Sequence, residues 1–164
     1  MTNPTSLAAA MRRYASSVSV VSCRDREGNL HAMTATAVSS VSFDPPSMLI
    51  CVNKQAQLNG AMAGVDAFAI NILSEEQTDI SNICAGGKPV LERVNDEHWI
   101  VQDRKPPVLK GAQAIIHCIK TQCFSYGSHD IFIGDVTGVS VEGNVRPLIY
   151  LDGKYGTFAP FQEA

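Results

Sequence analysis

Apolar positions along this chain fall mostly into short runs, and only a few stretches carry helical spacing. In "SLAAAMRRYAS" Leu7, Met11 and Tyr14 recur at three- and four-residue intervals, which predicts a short N-terminal helix. "VSVVSC" predicts a strand, the polar "RDREGN" a turn, and "LHAMTATAV" a second strand that completes a hairpin. "SMLICV" is almost wholly apolar and follows Pro45 and Pro46, so its length and flanks favour a buried strand over a helix. "AQLNGAMAG" places Leu58 and Met62 four apart, with Gly64 able to end a short helix.

"AFAINIL" predicts a further strand. Ser74, with Gln77 three residues later, has the form of a capping box and predicts a helix through "EEQTDISNICAG". Residues 86–110 contain Pro89, Pro106 and Pro107 and no clear period, which predicts a mobile loop. "AQAIIHCIKTQCFS", "HDIFIGDVTGVSV", "PLIYL" and "KYGTF" all predict strands, with turns at 126–128, 143–144 and 152–153. Many strands, two or three short helices and no regular β–α alternation point to an antiparallel β-barrel with helical additions. At 164 residues, with no repeat or linker, one domain is expected.

Composition narrows the function. The formal net charge is −3 and the run Arg12, Arg13 is short, so the clustered basic patch of a nucleic-acid binder is missing. The N-terminus lacks the pattern of a signal peptide and no stretch is long enough to span a bilayer, so the expectation is a cytoplasmic protein without a membrane partner. The cysteines, Cys23, Cys51, Cys84, Cys118 and Cys123, are five in number and lack CxxC spacing. That argues for free thiols packed as small hydrophobes, rather than for disulfides or a zinc site.

Several chemistries have no motif here. G-x-G-x-x-G, GxSxG, HExxH and the Walker sequence are all absent. His31, His98, His117 and His129 lack ligand-like spacing, so no metal is expected. His117 lies inside an apolar strand and reads as structural, whereas His31, after a turn, reads as solvated. "GSHDIFIGDV" sets His129 beside Asp130 at the mouth of a strand, where the pair fits either a working site or a plain strand cap. The stretch "MTATAVSSVSFDPPSMLICVN" opens with small and hydroxylic residues where bulkier side chains are usual. A flat ring could pack against such a strand, with Ser39 and Ser40 placed for a phosphate or ribityl chain; a serine-rich rim of a barrel is the other reading.

Five segments in this order, "MTATAVSSVSFDPPSMLICVN", "FAINILSEEQ" with "CAG", "PVLKGAQA", "GSHDIFIGDV" and "PLIYLDGKYG", resemble the short-chain NAD(P)H:flavin oxidoreductases over roughly residues 8–158. The chain is most similar to the reductase component of two-component flavin-dependent monooxygenases, of the 4-hydroxyphenylacetate 3-monooxygenase reductase type. The resemblance implies a mainly β fold, the flavin-binding split barrel, which is a Greek-key antiparallel β-barrel with a few short helices. It also implies a homodimer, and hydride transfer from NADH or NADPH to FMN or FAD. Reduced flavin would then serve a separate monooxygenase; a protein that keeps its flavin and only passes electrons is the alternative on the same fold.

By resemblance, Met33, Thr34, Ala35, Thr36 and Ala37 line the isoalloxazine, and Ser39 and Ser40 approach the ribityl-phosphate. Cys51, Val52, Asn53 and Lys54 flank the flavin tail, and Ala85 and Gly86 close over its phosphate side. Relatives often carry a serine or threonine after the "VN" strand, where this chain has "KQAQ", so Gln55 or Gln57 is the expected substitute. The resemblance puts His129 at the reactive face of the flavin, where the nicotinamide stacks, and Tyr155 with Gly156 where the pyridine nucleotide rests. Asp130 is expected to orient His129 or cap the turn. No arginine cluster is present for a 2′-phosphate, which favours NADH over NADPH.

Overall fold

The computed structural model describes residues 4–89, 92–95 and 97–161. Its elements in chain order are α1 (Pro4–Met11), β1 (Ser16–Ser17), β2 (Ser19–Arg24), β3 (Leu30–Ala35), β4 (Val38–Phe43), β5 (Pro46–Asn53), α2 (Gln57–Gly64), β6 (Ala67–Ile72), α3 (Thr78–Asn82), a π-helical turn (Ile83–Gly87), β7 (Trp99–Ile100), β8 (Val108–Leu109), β9 (Ala114–Tyr126), β10 (His129–Val141), β11 (Ile149–Leu151) and β12 (Lys154–Gly156).

Seven strands form one antiparallel sheet in the order β3-β2-β6-β9-β10-β5-β4. Its two edge strands, β3 and β4, follow one another in sequence with only Thr36 and Ala37 between them. A sheet whose first and last strands are joined by two residues must curl on itself, which produces the barrel. The Cys51 N–H donates to the Ala37 carbonyl at 3.0 Å and fastens that junction to β5. The mainly β architecture with few short helices agrees with the expectation from the sequence.

Strand β2 shows why the core divides in two. Its alternating side chains are buried on both faces. Val21 and Cys23 enter a cluster with Ile50, Val52, Phe68 and Phe132, while Val20, with Val18 just before the strand, joins Leu73, Trp99, Leu109 and Leu148. At the centre of the first cluster a Cβ on Gly134 would fall 2.7 Å from Phe68 Cε1 and 2.9 Å from Cys118 Cβ. The glycine of "FIGDV" is therefore a packing requirement.

Some expectations need correcting. "LHAMTATAV" is not one strand: it breaks after Ala35, and Val38 begins β4, which the serine-rich spacing concealed. Gln77 Oε1 accepts the Ser74 N–H at 3.1 Å, which is half of a capping box, but α3 begins only at Thr78. Ser74 instead bridges to Pro147. Residues 86–110 are not structureless, since β7 and β8 pair and Trp99 is buried. Asn71, fully buried, accepts the Leu109 N–H at 2.9 Å and donates to the Val20 carbonyl at 2.9 Å, which lays this segment on the barrel. His31 is not solvated: its Nε2 is 2.8 Å from Asp25 Oδ2 and its side chain is mostly buried. All five cysteines are free thiols, and burial pushes Cys23 and Cys118 up to about 12 and Cys84 up to about 11.

Candidate active site

The β9–β10 hairpin carries His129 to its tip. Tyr126 ends β9, His129 starts β10, and Gly127, at φ +55°, makes a left-handed bend that suits glycine in a two-residue turn. Antiparallel pairing sets His129 opposite Asn53 at the end of β5. The Lys54 N–H donates to the Ser128 carbonyl at 2.9 Å, and its Nζ donates to the Gly127 carbonyl at 3.0 Å. Thus the pairing of "CVNK" with "GSHD" brings two separate segments together.

Asp130 does not orient His129. Its carboxylate accepts from Ser125 Oγ, and from Asn59 Nδ2 at 2.9 Å, with Lys54 Nζ at 3.9 Å. Those two hydrogen bonds, Ser125's first, hold the carboxyl below its usual range, with Lys54 adding a smaller effect. Asp130 thus braces the hairpin tip against α2. His129 itself is exposed, with Nδ1 2.9 Å from Ser128 Oγ.

The second half of the site is built around β3. Thr34 Oγ1 donates to the Ser81 carbonyl at 2.6 Å, which draws α3 and the following π-helical turn alongside the strand. Ala85 and Gly86 lie exposed in that turn, and Gly86 adopts φ +121°, a conformation costly for other residues. Arg93 donates from Nη1 to the Ala32 carbonyl at 3.1 Å, next to Met33, and from Nε to the Lys88 carbonyl at 2.9 Å. Tyr155 reaches the same place through its hydroxyl, 2.8 Å from Ser81 Oγ. Gly156 follows it, exposed on β12.

The two halves meet where Cys51 bonds Ala37. Thr36, Ala37, Ser39, Ser40, Asn53, Lys54 and His129 are all exposed and so stand on open surface of the single chain. Because β3 and β4 are edge strands, each keeps one row of backbone N–H and C=O groups outside the ladder. Such a surface fits a flavin: Met33 and Cys51 are half-buried and offer apolar contact, free backbone groups can meet the polar rim of the ring, and Ser39 and Ser40 can meet hydroxyls or phosphate. Ala35 and Val52 are core side chains and present only their backbone. The Val52 carbonyl already accepts from Asn59 Nδ2 at 3.3 Å.

After β5, the Gln55 N–H is taken by Asn53 Oδ1 at 2.9 Å. Gln57, the first residue of α2, faces a different hollow of about 390 Å³ bordered by Arg26 and His31. Asn59, Ser81, Asn82, Ser125 and Arg93 all belong to the supporting structure and escaped the sequence reading. Single polar residues on short helices or in irregular segments carry no periodic signal. Among the described residues no cluster of histidine, cysteine and carboxylate side chains suits a metal ion, and no helix is long and apolar enough to cross a membrane.

Known proteins share this fold. The family model described as a flavin reductase like domain matches residues 11–159. The reductase component of the FADH(2)-dependent resorcinol hydroxylase of Rhizobium sp. (strain MTP-10005) is 34% identical over 151 residues, 92% of this chain and 84% of the relative. The FMN reductase (NADH) RutF of Variovorax paradoxus (strain S110) is 29% identical over 150 residues, covering 92% and 83%. Among solved structures, BorF, the flavin reductase component of a bacterial two-component tryptophan halogenase, superposes with a TM-score of 0.85 at 27% identity, covering 96% of this chain and 99% of BorF. Because that family model spans residues 11–159 and a relative is 34% identical over 92% of the chain, the chain belongs to the flavin reductase like domain family and is an oxidoreductase.

Proposed function

We propose that this chain reduces FMN or FAD with NADH in the groove between the β3–β4 junction and the tip of the β9–β10 hairpin, and releases the reduced flavin to a separate flavin-dependent monooxygenase. The observation that carries the site assignment is the placement of His129, exposed beside Asn53 and Lys54 on a hairpin tip braced by Asp130, Asn59 and Lys54. A bound flavin supplies the electron acceptor and NADH the hydride. The chain contributes alignment: Met33–Ala37 and Cys51–Lys54 form the floor, Ser39 and Ser40 the polar end, Ala85 and Gly86 the flank. His129 and Tyr155 with Gly156 receive the nicotinamide. Holding two cofactors in reacting order lowers the barrier without any covalent step by the protein.

The fate of the product follows the relatives, one of which serves a hydroxylase and another a halogenase. NADH is preferred because one relative is named for it and this chain lacks an arginine cluster for a 2′-phosphate. A homodimer completes the groove. Val41 and Phe43 on β4, and Phe124 and Tyr126 at the end of β9, are exposed apolar side chains, with Phe43 at 89% and Tyr126 at 83%. Large apolar exposure of this kind marks an interface, and an isologous pair is the commonest way to cover it.

Gel filtration followed by NADH oxidation tests the reading. A released flavin, and a rate that rises with added FMN or FAD, is the expected result. A protein that retains its flavin and ignores added flavin is instead an electron carrier.

A further inference from the structure

The phenol of Tyr155 is held more firmly than its place in the fold requires. Strand β12 has three residues and belongs to a small sheet with β1 and β11, outside the barrel ladder. Yet the Tyr155 hydroxyl donates to Asn82 Oδ1 at 3.2 Å and lies 2.8 Å from Ser81 Oγ. A phenol has one proton, so with that proton on Asn82 the Ser81 hydroxyl is the donor in the shorter bond. The ring also stands edge-on to Tyr150, with centroids 5.4 Å apart and planes at 61°. Three contacts therefore fix a half-exposed ring on a short surface hairpin.

Ser81 connects this ring to the groove. It is fully buried on α3, and its carbonyl takes the Thr34 hydroxyl of β3 at 2.6 Å. A buried helical serine commonly returns its hydroxyl to the preceding turn of its own helix. Here the Ser81 N–H already bonds the Gln77 carbonyl, and the hydroxyl reaches outward to Tyr155. One residue thus holds the flavin-facing strand through its backbone and the tyrosine through its side chain. Beside the ring is a hollow of about 290 Å³ bordered by Thr78, Leu148, Gly156 and Glu75. The Glu75 carboxylate is paired with Arg146 at 2.8 Å, which weakens its repulsion of a phosphate-bearing ligand.

We infer that Ser81 is a positioning residue for hydride transfer: it sets the Tyr155 ring relative to β3, so that the nicotinamide meets a surface already ordered before it binds. This rests on the reading of Tyr155 as a nicotinamide contact. Ordering the ring in advance removes part of the freedom that binding would otherwise have to restrict. The two ties are chemically separable, because Ser81→Ala removes the hydroxyl and leaves the carbonyl bond to Thr34 in place.

Steady-state kinetics with NADH, flavin titration and thermal melting on the full chain test the inference. Ser81→Ala should raise the KM for NADH about three- to tenfold, the range a single neutral hydrogen bond supplies, with flavin Kd within about twofold of the parent. Ser81→Thr, which keeps the hydroxyl, should recover most of the loss. Tyr155→Phe, which removes the Ser81 bond together with the Asn82 bond, should raise the KM at least as much as Ser81→Ala, and the double variant should be no worse than Tyr155→Phe, since the Ser81 bond is already gone in it. Additive losses in the double variant, or parallel losses in flavin affinity and melting temperature, would make Ser81 a packing residue and overturn the inference. Tyr155→Ala separates the two levels. If it leaves the KM for NADH unchanged, the nicotinamide reading of Tyr155 falls and the inference with it; if it raises KM while Ser81→Ala and Tyr155→Phe do not, only the inference falls. Should Ser81→Ala fail to fold, Tyr155→Phe compared with Asn82→Ala decides the matter, because only the former loses the Ser81 bond: a larger rise in the KM for NADH in Tyr155→Phe is expected, and an equal rise in both would overturn the inference.

Discussion

The same two strands, β9 and β10, build opposite environments at their middle and at their hairpin tip. Near Gly134 they close on Phe68 and Cys118 so tightly that one methyl group has no room, whereas at the tip Phe124, Tyr126 and His129 stand in solvent. The closed region obeys packing, in which every volume change is felt. The open region is held by a few polar ties, Asp130 to Asn59 and Lys54 to Gly127, and leaves its surface in solvent. The difference teaches that the fold places its rigidity directly beneath its site. Substitutions in the closed region should therefore change stability first, and substitutions at the tip should change activity first.

The largest effect expected is in the closed region. Phe68→Ala should cost about 3–5 kcal/mol of unfolding free energy, and Gly134→Ala about 1–3 kcal/mol through overpacking, both read by urea denaturation. A Gly134→Ala variant as stable as the parent would show that the strands can part there. At the tip, His129→Ala should lower NADH efficiency about tenfold to a hundredfold while flavin Kd and the urea midpoint stay nearly unchanged. His129→Asn should recover much of that loss if alignment is the role, because the amide keeps a polar group but cannot titrate. An asparagine variant as poor as alanine, with a parent rate that follows one ionisation near neutral pH, would assign proton transfer instead.

Smaller effects sharpen the contrast. Phe43→Glu or Tyr126→Glu should weaken self-association about tenfold or more in light scattering, without loss of monomer secondary structure, since a charge in an apolar interface lacks a partner. An unchanged dimer would move the interface elsewhere. The smallest effect concerns the β2–β3 turn, where the His31 hydrogen bond, aided by Asn29 and the Glu27 amide, holds Asp25 down at about 2. Because the folded value lies below the ordinary carboxylate range, this contribution is present above about pH 4 and is lost as the pH falls through about 2. Thermal melts of Asp25→Asn should lack that part of the acid dependence, and an identical acid profile would contradict the pairing.

Much of the barrel was legible because its strands are uniform. "AFAINIL" and "HDIFIGDV" carry continuous apolar runs, and both became central strands. Strand β4 was hidden because, lying at an edge, it shows Ser39, Ser40 and Phe43 to solvent and has no buried face to impose a period. The site was legible only as ordered motifs. Pairing of Asn53 with His129 depends on strand register, and the ties of Ser81 to Thr34 and Tyr155 join positions 47 and 74 residues apart. Local spacing holds no trace of such contacts, because tertiary packing alone brings them together.

Anaerobic rapid mixing of NADH with the parent protein and His129→Ala, each loaded with FAD or FMN, tests the central claim most directly. The account predicts that the visible flavin absorbance bleaches in the parent, and bleaches at least about tenfold more slowly at limiting NADH in the variant, with equal flavin bound. Absorbance that does not bleach in the parent, or equal rates in the two proteins, would contradict it.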